Sequence, residues 1–350
     1  VELVVREADL GADKQALQNV LSENRDYKIT PERYEWLYLQ NPFGPARAWL
    51  AIDGKSGRAI GASAALPRTF WVKGNRVQAH VLSDFSIAEE YRSLGPAAKL
   101  NRASIEPALG GTIAFAYDFP SEAMAAVHRW LKAKPLGRML RYVKILRLDS
   151  KMDGLFGRGI VSRSLSWFGN KLLELQLHES AVGEGYSFEH RKLFSDSFDT
   201  SFDRLDKELA SGLAVCGVRN SAYLNWRYGA NPLREFWVLS LLKDKALCGY
   251  CVYTAHEKRL AVYDLFCENI FELEQRILKA LLLVARFQGA QAIEVSLLET
   301  NPWIPIVSTE GFRERPPVSE VFVFTIKGGE FTGLVDKKEN WYMTMGDRDT

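Results

Sequence analysis

Ser83-Asp84-Phe85-Ser86-Ile87-Ala88-Glu89-Glu90-Tyr91-Arg92-Ser93-Leu94-Gly95-Pro96-Ala97-Ala98 changes character halfway along. The apolar run over residues 81–87 reads as a strand, a short charged turn follows, and Ala97, Ala98, Leu100 and Ala103 then line one helical face. Gly95 permits close backbone approach, and Pro96 is expected as the first helical residue, where its fixed φ suits the helix and its missing N–H has no partner to lose. A helix that begins this way offers unpaired amides and the positive end of its dipole, a combination that favours a pyrophosphate.

The sequence around this stretch is written twice. Trp36-x-Tyr38-x-x-Asn41-Pro42 recurs as Trp226-x-Tyr228-x-x-Asn231-Pro232, each time at the end of a predicted helix and before a strand-rich region. Past it, both copies show a strand with an interior glycine (Gly61, Gly249) and a polar hairpin tip at 73–76 or 256–259. A second strand then ends in Asp84-Phe85 or Asp264-Leu265-Phe266. A long helix, a short apolar strand (112–117, 292–297), a proline turn, another helix and a last strand complete each copy. One copy therefore reads β-α-α-β-β-β-α-β-α-β, with its first strand at 3–7 and first helix at 13–22. The expected fold class is α/β, two tandem layered domains, each a mixed and mostly antiparallel sheet flanked by helices. The divisions expected are 1–148, a helical linker over 149–185, 186–328, and a tail over 329–350. Within the linker, apolar residues at near-helical spacing over 154–177 predict an amphipathic helix.

Bulk properties narrow the function. A chain of 350 residues fits two average domains, and 47% hydrophobic with 25% charged residues is ordinary globular composition. The formal net charge of +2 argues against a nucleic-acid binder held mainly through phosphates. No apolar run approaches the ~18 residues that cross a bilayer, and no charged-then-apolar leader precedes the first strand, so a cytoplasmic protein is expected. Four cysteines do not suggest a disulfide framework. Cys248-Gly249-Tyr250-Cys251 matches a dithiol spacing but lies in a strand-like run, which favours buried structural thiols. No Cys/His spacing supports a metal site, and neither a Gly-x-Ser-x-Gly nor a Walker loop occurs. Trp36, Trp71, Trp130 and Trp226 are expected in the core, and Trp303 as an aromatic lining a groove.

Arg92-x-x-Gly95-x-Ala97 resembles the coenzyme A motif of the GNAT acyltransferase superfamily (Gln/Arg-x-x-Gly-x-Gly/Ala), and the order of elements in both copies resembles the GNAT fold. The resemblance implies a pantetheine arm paired with backbone groups of Phe85, Ser86 and Ile87, and a pyrophosphate held at Arg92, Ser93, Leu94, Gly95, Ala97 and Ala98. It also implies an acid for the departing thiolate. The family often supplies a tyrosine four residues before the glycine of a Leu-Gly-Phe turn; here His128 takes the tyrosine's place and Lys132 the glycine's. His128, beside Met124, Val127 and Leu131, is equally placed for a packing role. Asp84 is the candidate base or water-positioning group, with capping or pairing to an arginine such as Arg92 as the alternative. Pro96 departs from the family pattern by removing one amide. Some tandem members bring the terminal carboxylate into the active site, which the aromatic, acidic tail could imitate.

The second copy lacks the cradle: Glu268-Asn269-Ile270-Phe271-Glu272-Leu273-Glu274 runs straight into a helix, and carboxylates there would repel a pyrophosphate. The expected function is transfer of an acyl group from acetyl-CoA or another acyl-CoA to an amine by the first domain, with no metal. The motif and the tail resemble bacterial proteins associated with surface polysaccharides, so the acceptor expected first is an amino sugar. The alternatives are an aminoacyl transferase resembling those that extend peptidoglycan peptides, and a non-enzymatic coenzyme A-binding or scaffold protein.

Overall fold

Trp36 and Trp226 stack with ring centroids 5.3 Å apart, and each indole N–H donates to the other's backbone carbonyl, at 2.8 and 2.9 Å. The same residue of each copy thus makes the same contact with the other. The computed structural model describes residues 2–24, 29–146, 185–268 and 270–349; the helix read over 154–177 lies outside them.

The repeated motif builds the same device twice. In the first copy Thr30 accepts the Arg33 amide, Pro31 opens α2 (Pro31–Tyr34), and the chain widens into a π-helical turn over Glu35–Leu39. In the second, Asn220 caps a helix over Ser221–Leu224 that widens over Asn225–Gly229. Wide turns of this type recur at functional positions. Here one turns Trp36 and Trp226 towards each other and Tyr38 into its own half.

The first copy runs β1 (Leu3–Glu7), α1 (Lys14–Glu23), α2, β2 (Arg47–Asp53), β3 (Ala59–Val72), β4 (Asn75–Ile87), α3 (Leu94–Leu109), β5 (Phe115–Asp118), α4 (Glu122–Trp130) and β6 (Pro135–Ile145). The second supplies β7 (Tyr186–Lys192), β8 (Val215–Gly217), β9 (Trp237–Lys243), β10 (Ala246–His256), β11 (Arg259–Cys267), a helix over Ile270–Phe287, β12 (Ala292–Leu298), a helix over Trp303–Thr309 and β13 (Arg313–Phe324). The strands form one sheet in the order β1-β2-β3-β4-β5-β13-β6-β12-β11-β10-β9-β7. Only β4–β5 and β11–β12 along this path are parallel. The last strand of each copy has crossed over: β13 lies against β5, and β6 lies against β12. The larger core cluster is accordingly shared between the halves, and a second, smaller one lies under α3 and α4.

Three expectations need correction. The helix after the glycine turn begins at Leu94, so Pro96 is its third residue; amides of the first turn have no intrahelical acceptor, and proline costs little there. Trp303 is a core residue, 0% exposed, with its indole N–H donated to the Tyr342 hydroxyl at 2.9 Å. Trp130, expected in the core, is 56% exposed at the end of α4. The four cysteines are free and buried, and burial pushes the Cys248 thiol up to about 11, the opposite of a reactive thiolate.

Candidate functional site

β4 and β5 pair only at Ala79–Phe115, His80–Ala116 and Val81–Tyr117. Beyond that point β5 ends at Asp118 while β4 continues to Ile87, so the strands part. On its other edge β4 carries a bulge: Ala64 faces Ser83 and Ala62 faces Ser86, leaving Asp84 and Phe85 opposite Ser63. Asp84 takes φ of +51°, a left-handed conformation costing about 1–3 kcal/mol in a non-glycine residue. What holds it is charge. Arg33 donates two bonds to its carboxylate, both 2.9 Å, and the Tyr38 hydroxyl a third at 2.9 Å. All three side chains are buried. Burial, then the Asp84 charge, raises the Tyr38 pKa well above its ordinary value, so the phenol stays a donor. The partner of Asp84 is thus Arg33, not Arg92.

The parting opens into two adjoining cavities. The first, of about 440 Å³, is lined by Phe85, Ser86 and Ile87 on the strand, Arg92, Ser93, Leu94 and Ala97 at the helix start, and Met124 and Val127 on α4. Arg92 is steadied by the Ile87 carbonyl at 3.1 Å and by the Asn24 side chain at 3.4 Å. The Ser93 side chain makes no capping bond to α3, which leaves the helix start uncovered. Among the described residues, a Cβ placed on Gly95 would meet no atom within 4 Å beyond its own helix backbone. Packing therefore does not require glycine here; a ligand approaching the backbone would. Ala98 is buried behind the helix face.

The second cavity, of about 200 Å³, shares Phe85, Ser121 and Met124 with the first and is polar. Asp84, Asp118 and Asp349 lie in its wall together with Ser63, Ser83, Asn101, Ser104 and Ser121. Asp349 arrives from the tail, whose backbone is tied down by Arg227 bonds to the carbonyls of Arg348 and Asp349 at 2.9 and 2.8 Å. Ser83 donates to its carboxylate at 3.0 Å. Burial, then the Asp84 charge, raises the Asp349 pKa; Asp118 adds to the shift, while Arg348 and Ser83 oppose it.

His128 is 0% exposed and does not line either cavity. Its Nε2 lies 2.6 Å from Asp118 and its Nδ1 3.3 Å from the Asn101 side chain, and both of those partners do face the polar cavity. Lys132 has φ of +63°, the conformation for which a glycine would serve in the turn that follows His128. The structure thus brings Asp84, Phe85, Ser86, Ile87, Arg92, Ser93, Leu94 and Ala97 to one opening, leaves Gly95 and Ala98 out of its lining, and sets His128 one residue behind its wall. Arg33, Tyr38, Asp118 and Asp349 were not singled out by sequence. Arg33 and Tyr38 lie beside or within the repeated tryptophan motif, and that was the signal available for them.

The second copy parts its strands in the same way. β11 and β12 pair only from Arg259–Ala292 to Val262–Val295. In the gap, Thr344 bridges Leu297 and donates to Asp264 at 3.0 Å. Arg219, buried, bonds Asp264 at 3.0 Å and Asp347 at 2.7 Å, and Asp347 also pairs with Arg68 of the first copy at 3.4 Å. The tail fills this opening before continuing to Asp349.

No family model matches the sequence, and no curated protein does. Solved structures do match in fold. A GCN5-related N-acetyltransferase from Anabaena variabilis is similar over 92% of this chain and 72% of its own, at 14% identity and a TM-score of 0.64. Saccharomyces cerevisiae N-myristoyltransferase with bound myristoyl-CoA is similar over 100% of this chain and 84% of its own, at 12% identity and 0.55. A tandem GNAT protein from the clavulanic acid biosynthesis pathway is similar over 92% and 98%, at 15% identity and 0.54. The class is therefore settled at the level of architecture: the chain has a GNAT fold, present twice.

Proposed function

We propose that the protein is an acyl-CoA-dependent N-acyltransferase, with the chemistry in the first copy and a catalytically silent second copy. The observation that carries this reading is the contrast between the two strand openings: one leads from an uncapped helix start to a polar cavity, and the other is filled by the chain itself. Phe85, Ser86 and Ile87 offer the strand edge to a pantetheine arm, while Arg92 and the amides around Ser93, Leu94, Gly95 and Ala97 suit its pyrophosphate. The thioester then falls near Phe85, Ser121 and Met124, where the two cavities join.

The acceptor enters the polar cavity, and an amino sugar is its first candidate. The amine nitrogen attacks the thioester carbonyl, a C–N bond forms, and the C–S bond breaks. Of the protons lost by an ammonium acceptor, one leaves to make the free amine and one is balanced by protonation of the thiolate. Asp118 and Asp349 are the carboxylates placed to take the first. Asp84 acts as a positioning residue, holding the bulge through Arg33. His128 reaches the cavity only through Asp118, so its part is to orient that carboxylate.

Titrating the full chain with coenzyme A while following thermal unfolding tests the reading. Ligand at a hundred times its dissociation constant stabilises by about 2.7 kcal/mol. No stabilisation at millimolar coenzyme A overturns the proposal, and binding without thioester cleavage across an amine panel leaves only a non-enzymatic role.

A further inference from the structure

Among the described residues, the wall of the polar cavity carries three carboxylates and no lysine, arginine or histidine. Their charges are not equally answered. Asp84 is paired with Arg33, and Asp118 has His128 behind it. Asp349 accepts its side-chain bond from the neutral Ser83, and the neighbouring Arg348 turns its guanidinium over the Phe119 ring, 5.3 Å from the centroid. The cavity wall is thus acidic, and Arg33, His128 and Arg348 act on its carboxylates from outside the lining. It does not gather that charge on one point: among the described residues no three His, Cys, Asp or Glu side chains come close enough to hold a metal ion. A second feature points to a ligand independently. Ser63, 2% exposed and opposite the Asp84 bulge, lines the same cavity, and its hydroxyl has no hydrogen-bond partner among the described residues.

Resting on the acyltransferase reading, we propose that the acceptor is a small amine that enters as a cation, carries hydroxyl groups beside the amine, and bears no carboxylate or phosphate within reach of Asp84, Asp118 and Asp349. The ammonium supplies the positive charge that the wall lacks, and the adjacent hydroxyls meet Ser63, Ser104 and Ser121. A volume of about 200 Å³ holds roughly six waters, enough for a single hydroxylated amine and too little for a peptide or oligosaccharide inside the cavity. An anionic substituent on the carbon next to the amine would lie against the carboxylates, and even at an effective dielectric constant near 20 that repulsion corresponds to a loss of tenfold or more, approaching a thousandfold at about 4 Å. The selectivity is therefore set against α-amino acids and phosphorylated amines as well as towards cations.

Matched acceptors that differ by one group read this out. With the full chain and saturating acetyl-CoA, transfer to 2-amino-1,3-propanediol is compared with transfer to serine, and transfer to glucosamine with transfer to glucosamine 6-phosphate. The expected result is a kcat/KM at least about tenfold higher for the member without the anion, carried mainly by KM. Asp349→Asn should narrow the ratio while leaving coenzyme A affinity unchanged, which also shows that the variant is folded. Equal transfer to both members of each pair, or preference for the anionic one, overturns the inference while the acyltransferase reading stands. Coenzyme A binding with no transfer to any cationic member also counts against it. Absence of coenzyme A binding brings down the underlying reading instead.

Discussion

In the first copy β4 and β5 part after Val81 and Tyr117 and leave two connected cavities; in the second, β11 and β12 part after Val262 and Val295, and residues 344–347 sit in the gap. The same topological feature has been used in two ways. Each opening has an aspartate on the longer strand, and each aspartate is held by a buried arginine. Asp84 faces a cavity. Asp264 faces Thr344, Arg219 and, through Arg219, Asp347. In one copy the buried charge keeps a strained bulge in place, and in the other it anchors the tail that delivers Asp349 to the first copy. The second copy therefore reaches the opening of the first through the tail that Arg227 holds.

The largest test of this difference is Arg219→Leu. Removing the guanidinium leaves Asp264 and Asp347 buried without their shared cation, which is expected to cost about 3–5 kcal/mol. Urea unfolding of the full chain measures it. A loss below about 1 kcal/mol would mean that the ionic clamp contributes little and that the apolar tail contacts alone hold the plug.

Next in size is Gly95→Asp, which acts on the open copy only. Among the described residues, a Cβ at this position meets nothing within 4 Å beyond its own helix backbone, so folding should be unaffected to within about 0.5 kcal/mol. A carboxylate beside the expected pyrophosphate should weaken coenzyme A by about a hundredfold or more. Unchanged affinity by calorimetry would move the ligand away from the helix start and remove the main support for a donor cleft here.

How much of this was legible in sequence divides along the distance between interacting residues. The strand, turn and helix over residues 83–98 and the order of elements in each copy are local, and period and turn chemistry suffice to read them. The repeated Trp-x-Tyr-x-x-Asn-Pro was visible, but its purpose was not, because the contact it makes joins Trp36 to Trp226 across the whole chain. Similarly, nothing in the neighbourhood of Asp84 announces Arg33. The exchange of β6 and β13 between the halves leaves no mark on either strand, since the backbone hydrogen bonds that pair them are the same for either neighbour. Asp118 reads as an ordinary residue before a proline turn until the sheet places it beside Asp84 and Asp349. His128 shows the reverse case: its spacing to Lys132 fits a family turn, yet the helix carries its ring behind the cavity wall.

A smaller effect, and a sharper one, comes from Gly346→Ala. A Cβ on Gly346 would run into the Tyr228 hydroxyl and approach the Tyr263 carbonyl at 3.1 Å, inside the filled opening. Overpacking of this kind costs about 1–3 kcal/mol. The Tyr228 hydroxyl is buried without a hydrogen-bond partner among the described residues, so Tyr228→Phe alone should change stability by less than about 1 kcal/mol. Combined, the two substitutions should recover at least half of the loss, which a double-mutant cycle of unfolding free energies reports directly. Strict additivity would show that the tail does not rest on Tyr228 and that the plug is looser than the geometry indicates.

The smallest effect on stability is expected from Asp349→Asn, and its sign is the informative part. Burial and the charges of Asp84 and Asp118 raise the folded-state pKa of Asp349 above the unfolded value of about 3.9. The folded protein therefore binds this proton more tightly than the unfolded chain does, and the ionised carboxylate opposes folding. Its unfavourable contribution is absent below the unfolded pKa, grows as pH rises through the window between the two values, and is fully present above the folded one. At neutral pH the asparagine variant should accordingly be as stable as the parent or more so, by no more than about 1 kcal/mol, and its stability should change less with pH across that window. Acyl transfer should fall in the same variant, because a carboxylate facing the acceptor has been lost. Stability and activity moving in opposite directions is the signature of a charge kept for the site and not for the fold. If both fall together in thermal unfolding and turnover assays, Asp349 is a structural anchor of the tail, and the contribution of the second copy ends at Arg227.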